Sequence, residues 1–326
     1  MDPTSIYWIV LNVIDILAIS FNSLLIYLAL FQTPKILRTY TTLIINLAIT
    51  DCFSAAFNFF VQQRMIPAGF TIGYVSNGFC RHFGPQVCFL SHNIMAHFIV
   101  HSNYSLLLSF AYRYYILVKQ EPKRRNVLIV VVIIYIPSFI QLILYQFAES
   151  DPSEVIKLLL SHYPTYSFDN LTVTGVADIR NIFALFKILQ MTVMTVPQFL
   201  LIIYFRKKII SKLIYRGINI SISTKSLHSQ LLIALTYQAI IPTLYSISVV
   251  MYILEQSGIY TSPAFENYIM SGLVLIPFFS PFASFIFFTP YKRFLLGLFS
   301  DKYRQKKSNV SISGAGSGVA QSARKI

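Results

Sequence analysis

The sequence predicts an all-α membrane protein, a single bundle of seven transmembrane helices with its N-terminus outside and its C-terminus in the cytoplasm. Three observations predict it. Seven apolar runs are spaced along the 326 residues, each long enough to cross a hydrocarbon core that takes about 20 residues of helix. Only 12% of the residues are charged and 55% are hydrophobic, with a mean hydropathy of +0.62, whereas soluble domains carry charge at about a quarter of their positions. The charge is also one-sided: of 26 Lys and Arg, 21 fall in connections on one side of the predicted bundle, four on the other, and Lys187 within a run. A net +14 in a soluble protein points to nucleic acid. Here the basic residues flank apolar runs, which is how cytoplasmic loops read, so no nucleic-acid partner is expected and anionic membrane lipids are.

The first run, Ile6 to Phe31, has no basic segment before it and exceeds a signal-peptide core, so it is expected to stay as a span. Tyr7 and Trp8 suit an interfacial anchor. Lys35 and Arg38 follow on the inner side. The second run, Tyr40 to Val61, carries Asp51 near its middle. The third, Gly84 to Tyr112, has His97, His101, Ser105 and Tyr112 on one helical stripe and Asn93, Ser102 and Asn103 on other faces. A helix polar on several faces must be surrounded by protein rather than lipid, so this is the predicted central helix. Lys119, Lys123, Arg124 and Arg125 precede the fourth run, Val127 to Phe147.

Residues 148–181 read as an outer loop without cysteine. Of four Asn-x-Ser/Thr sequons, Asn170 alone lies there, which makes it the glycosylation candidate. The fifth run, Ile182 to Phe205, holds Lys187 five residues in, read as snorkelling outward; Arg206, Lys207, Lys208, Lys212, Arg216 and Lys225 follow it. The sixth and seventh runs are Leu231 to Leu254 and Tyr268 to Phe288. Pro137, Pro197, Pro242, Pro277 and Pro281 fall inside spans and predict kinks. After Pro290, the alternation of Lys292 and Arg293 with Phe294, Leu295, Leu298 and Phe299 describes a short amphipathic helix on the inner leaflet. Residues 1–300 are thus expected to form one membrane domain and 301–326, rich in Ser, Gly and Ala, a disordered cytoplasmic tail.

An ionisable group at mid-membrane costs about 2.5–3.5 kcal/mol on insertion scales and therefore faces protein or water. Asp51 is accordingly a candidate polar switch or cation site with Asn22 as partner, the alternative being a protonated carboxyl satisfied by neighbouring hydroxyls; Asp15 follows the same logic nearer the outer end. His97 and His101, four residues apart, have no acidic or Cys companion, so ligand contact or packing is expected rather than a metal. With Asn93 they are the candidate ligand-binding residues. Arg113 either snorkels or gates an inner cavity. No His-Glu-x-x-His, Gly-x-Ser-x-Gly, phosphate-cradling glycine loop or paired carboxylates appear, so no catalytic residue, metal or cofactor is assigned.

Further residues carry a resemblance. They are Phe21-Asn22-Ser23-Leu24-Leu25-Ile26-Tyr27; Thr33-Pro34 with Leu37 and Tyr40; Arg64 with Ile66-Pro67-Ala68-Gly69; and Gly78-Phe79-Cys80 with Cys88. Tyr112-Arg113-Tyr114-Tyr115-Ile116-Leu117, Gln238 with Pro242, and Ser280-Pro281 leading to Pro290-Tyr291-Lys292-Arg293 complete the set. In that order the chain resembles G-protein-coupled receptors, and most of all the nematode serpentine chemoreceptors of class delta (Srd) in the Str superfamily.

The resemblance implies a receptor in the membrane of sensory neurons, in their cilia, that detects a small external chemical and signals to a heterotrimeric G protein. It implies an activation relay at Asn22, Asn46 and Asp51, the last two matching the Asn-Leu-Ala-x-x-Asp pattern of rhodopsin-like receptors. It also implies a G-protein-facing end at Arg113, Tyr114, Tyr115, Arg206, Lys207 and Lys208. Tyr112 stands where rhodopsin-like receptors have Asp or Glu beside that arginine. The 148–181 loop has no Cys to bridge to the third helix, so Cys80 and Cys88 either pair locally in the oxidising exterior or both stay reduced. The alternative reading is a seven-span ligand-gated channel or a transporter of a small molecule.

Overall fold

The computed structural model describes residues 3–34, 37–215, 230, 233–234, 236–240 and 242–299. Lys35, Arg216, Lys225, parts of the sixth predicted run and the expected tail lie outside the described residues. Among the described residues, seven segments are long and apolar enough to cross a membrane: 6–31, 38–61, 85–118, 124–146, 182–212, 236–256 and 263–287. They correspond one to one with the predicted runs.

Each helix faces inward along a stripe that its sequence sets. On α1 (Pro3–Phe31), Leu11, Asp15, Ala18, Asn22, Leu25 and Ala29 are buried while Ile9, Val13, Ile16 and Leu30 are exposed, a three-and-four spacing that puts one face on the bundle. On α4 (Arg124–Gln146), Val127, Val131, Ser138, Gln141 and Tyr145 do the same. α2 (Arg38–Val61) and α3 (Pro85–Val118) pack together at the centre. In α3 and in the seventh span, 61% of the most apolar stretch is buried, against 22% in α4, so α3 lies inside the bundle, as predicted, and α4 is on its outside.

The fifth span is two helices, α6 (Ile182–Thr192) and α7 (Thr195–Tyr215), whereas the sequence reads as one run. Pro197 has no N–H to give Val193 four residues back. Side chains fill in at the break: Thr192 Oγ1 donates to the Ile188 carbonyl and Thr195 Oγ1 to the Thr192 carbonyl, each at 2.6 Å. The sixth span ends in α8 (Pro242–Gln256). The seventh, α9 (Pro263–Phe287), contains Pro277 and Pro281 and is capped by Ser262. Pro281 leaves the Pro277 carbonyl without its helical donor, and Asn22 Nδ2 supplies one at 2.9 Å. This is how a helix tolerates proline in lipid. α10 (Thr289–Phe299) follows; its Tyr291 is buried and shares a 2.7 Å hydrogen bond with Thr33.

One end of the bundle carries structure where loops were expected. β1 (Gln63–Ala68) and β2 (Thr71–Ser76) form an antiparallel hairpin, and β3 (Thr172–Val176), about a hundred residues on, pairs antiparallel with β2. Gly69 at φ +60 makes the turn, a conformation that favours glycine. α5 (Pro152–His162) lays Val155 and Leu159 on Ile66, Val75 and Val173. Glycine at position 73 lets Leu159 pack close, because a Cβ would stand 2.4 Å from Leu159 Cδ1 and that side chain would have to shift. A second cluster, Tyr74, Phe89, Tyr145, Val176 and Ala184, ties the sheet to α3, α4 and α6. Cys80, in the short 3-10 turn Phe79–Phe83, is disulfide-bonded to Cys88 in the first turn of α3.

Candidate functional site

Beneath the sheet lies a cavity of about 70 Å³, several times what one water needs. Helical spacing builds its walls. α3 contributes His92, Met95, Ala96 and Ile99, α6 contributes Lys187, Ile188, Met191 and Thr192, and α8 contributes Tyr245, Ser248, Val249 and Tyr252. Ile269, Met270 and Leu273 of α9 and Tyr145 of α4 close the sides, and Met65, Ile72 and Tyr74 of the sheet form the roof.

Lys187 does not snorkel outward. Its side chain is buried, with Nζ 2.9 Å from His92 Nε2, 3.3 Å from Asn93 Oδ1 and 3.6 Å from the Tyr145 ring centre. An ammonium over an aromatic face is attracted by the ring quadrupole, and these three partners draw the side chain in. Tyr145 is held in turn by a 2.9 Å hydrogen bond to Tyr74, whose ring lies 4.4 Å from that of His92. Burial pushes the Tyr74 phenol up to about 12, so at neutral pH it keeps its proton. Asn93 also donates to Gln146 Oε1 at 3.1 Å, and Gln146 to Glu149 Oε2 at 3.1 Å.

His97 and His101, expected at the ligand, do not line this cavity. They turn toward α2 and α4, where His101 stacks on Tyr135 with centroids 3.4 Å apart and His97 meets Phe98, Tyr135 and Phe139. His101 Nε2 lies 3.1 Å from Ser105 Oγ, and Asn46 Nδ2 donates to the same oxygen at 2.7 Å. Asn93 reaches the cavity only through Lys187. Position on a stripe identified polar faces of α3 but not which neighbour each would meet. His92, Tyr145 and Ser248 escaped notice. The signal available for Tyr145 was its place on the buried stripe of α4, four residues from Gln141.

The mid-bundle layer centres on Asp51, fully buried, whose Oδ1 accepts from Ser102 Oγ at 2.8 Å. Asn22, expected as its partner, instead donates to the Ala18 and Pro277 carbonyls at 2.9 Å. The neighbouring backbone, short of donors at Pro281, claims that amide. Asp15 accepts from Asn58 Nδ2 at 2.6 Å. At the far end of α3, Arg113 is buried with its guanidinium 3.9 Å from the Tyr40 ring centre. Tyr112 stacks on Tyr40 and donates to Glu121 Oε1 at 2.9 Å. Tyr115 is exposed, the Tyr114 ring meets Phe205, and Arg206 Nε donates to Thr236 Oγ1 at 3.3 Å. Lys207 and Lys208 are exposed on α7, Lys208 above the Tyr204 ring. Asn170 is exposed at φ +59, beside the sheet.

The family model described as "Serpentine type 7TM GPCR chemoreceptor Srd" matches residues 5–297. "Serpentine receptor class delta-18" of Caenorhabditis elegans is 38% identical over 276 residues, covering 83% of this chain and 82% of that protein. "Serpentine receptor class delta-19" of the same organism is 36% identical over 276 residues, covering 83% and 81%. Among solved structures, squid rhodopsin aligns with a TM-score of 0.63 at 15% identity, covering 91% of this chain and 81% of that one, which is a likeness of fold.

Proposed function

The chain belongs to the Srd class of serpentine seven-helix chemoreceptors, and from that premise we propose that a small external chemical enters the cavity beneath the sheet and that a heterotrimeric G protein reads the response at the Arg113 end. In this reading the sheet-bearing end faces outward and the basic loops face the cytosol, as the distribution of Lys and Arg favours. The membrane is that of a sensory neuron, in its cilium.

One observation carries the proposal: α3 runs unbroken from cavity to arginine. It supplies His92 to the cavity, Ser102 to Asp51, and Arg113 to the opposite end. The 21 residues from His92 to Arg113 span about 30 Å at the helical rise. A ligand that binds the cavity better in one arrangement of α3, α6, α8 and α9 shifts the population toward it. The Asp51 layer suits a relay because the Asp51 carboxylate lies between Ser102 of α3 and Ser280 of α9, so a small displacement of either helix exchanges its partners. Arg113, held now over Tyr40, is the group that such a displacement releases.

Two experiments test this. Purified receptor in lipid nanodiscs with candidate G proteins should accelerate nucleotide exchange on exposure to an active chemical, and a Met95→Trp variant that fills the cavity should abolish the response while the receptor still reaches the surface. Failure of every G protein across a broad chemical panel overturns the proposal. Glycan on Asn170 would fix the sheet-bearing end as external; modification restricted to a sequon engineered near Lys123 would reverse it.

A further inference from the structure

We propose that the ligand is a small carboxylic acid with a short apolar body, bound as its carboxylate against Lys187; this rests on the receptor reading above and adds the chemical class. Lys187 is buried at 5% exposure and lines the cavity. Among the described residues the ion pairs are Arg64 with Glu266 and Arg180 with Asp178, so no described carboxylate is paired with this ammonium. Its contacts are a histidine nitrogen, an amide oxygen and an aromatic face. Those offset part of the lost hydration, but a buried charge is fully compensated only by an opposite charge with hydrogen bonds.

A second polar residue lines the same space. Ser248 lines the cavity from α8 and is 2% exposed, and its Oγ has no hydrogen-bond partner. Gly272 makes room for it, since a Cβ there would meet Ser248 Oγ at 2.0 Å. A buried hydroxyl left without a partner is costly, and a carboxylate oxygen accepts what it donates. The remaining walls include Met95, Met191, Ile269 and Leu273, which suit a hydrocarbon body, and about 70 Å³ limits that body to a short one. An amine would set a second cation beside Lys187, and an alcohol or ester would leave the ammonium unpaired. A small monoanion supplies the charge that Lys187 lacks, and its oxygens can accept from the Ser248 hydroxyl.

The test uses the full chain in nanodiscs. Binding is measured for short straight-chain carboxylic acids beside their matched alcohols and methyl esters at a pH where the acids are ionised. The acids should bind at least about tenfold more tightly than either neutral series. Lys187→Met should lower acid affinity by roughly ten- to a hundredfold and leave the alcohols unchanged, and Lys187→Arg should keep the preference for acids. Should Lys187→Met fail to fold, Ser248→Ala in the wild-type background should weaken acid binding several-fold without touching the esters. Equal binding of the neutral series, no binding of the acids, or full acid affinity in Lys187→Met overturns the assignment. Signalling by neutral ligands with no acid preference removes this inference and leaves the receptor reading standing. Acid binding with no nucleotide exchange for any ligand does the reverse.

Discussion

At the sheet-bearing end, a disulfide joins Cys80 to Cys88, three strands cross-link the connections, and Glu266 of α9 is held by Arg64 of β1 and by Tyr166 at 2.8 Å. At the Arg113 end the contacts include a cation over a ring, a ring on a ring, and a phenol on a carboxylate. Both ion pairs found among the described residues belong to the first end. Arg180–Asp178 is exposed and contributes little, but a covalent link and a pair with a buried carboxylate, as in Arg64–Glu266, are hard to break without unfolding, whereas aromatic and cation–π contacts are worth about 0.5–2 kcal/mol each and can be exchanged between arrangements. Under the proposed function the difference suits two duties: one end a frame that keeps the cavity's shape, the other a latch that can change partners.

The strongest way to break that comparison is to attack the frame. Arg64→Met leaves the Glu266 carboxylate, whose side chain is 2% exposed, without its cation. Removing one member of a buried pair costs about 3–5 kcal/mol; Arg64 itself is 27% exposed, so water tempers the loss and about 2–3 kcal/mol is expected. The purified receptor should melt at clearly lower temperature, and the double change with Glu266→Gln should recover much of the loss, since the stranded charge has gone. An unchanged melt for Arg64→Met would mean that the frame does not depend on this pair.

At the latch the same size of change should act on signalling instead. Tyr40→Leu removes the ring under Arg113, a contact of about 1–2 kcal/mol when desolvated. In a two-state receptor that raises ligand-independent nucleotide exchange by roughly five- to thirtyfold, with a smaller effect on melting than Arg64→Met. Tyr40→Phe keeps the aromatic face and loses only the hydroxyl that faces Arg113, so its effect should lie between the wild type and Tyr40→Leu. If Tyr40→Leu lowers melting as much as the frame variant and leaves basal exchange alone, the two ends are equivalent and the comparison fails.

The seven spans were legible in the sequence because lipid imposes length and apolarity locally, one run at a time. The break in the fifth was signalled by Pro197 but hidden by continuous hydropathy. The sheet was harder. β1 reads Gln63-Arg64-Met65-Ile66-Pro67-Ala68, with no alternation and a proline, and its stability comes from β2 and from α5 packed on that sheet, outside its own segment. Part of it was readable: Ile72 and Tyr74 alternate with Gly73 and Val75, and Asp151-Pro152 ahead of Ser153-Glu154 is a helix start. The cavity was the least legible. Lys187 sits near a span end, where snorkelling is the rule for an isolated helix, and what turns it inward is His92 and Asn93, more than ninety residues away. A stripe on α3 names polar faces; only packing decides that His92, not His97 or His101, meets the lysine.

The smallest expected effect tests whether the frame is a set of local parts. Asp151 caps α5: its Oδ1 accepts the Ser153 backbone N–H at 2.8 Å and the Ser153 hydroxyl. These bonds favour the ionised form and hold its carboxyl below the usual carboxylate range. A group whose value is depressed in the folded state adds stability above its unfolded value, near 3.9, and loses it as pH falls through the lower folded value. Protection of the first-turn amides of α5 against hydrogen exchange, corrected for intrinsic rate, should therefore be constant from neutral pH to about 5 and decline below about 4. Asp151→Ala should show the reduced protection at every pH. Asp151→Asn, an equally good cap, should keep it without the pH dependence. Because Val155 and Leu159 still bury themselves on the sheet, α5 should fray only at its start, and neither acid affinity in the cavity nor basal exchange at Tyr40 should move. Loss of either would mean that strain in one cap reaches the latch, and that the frame transmits what it was argued to resist.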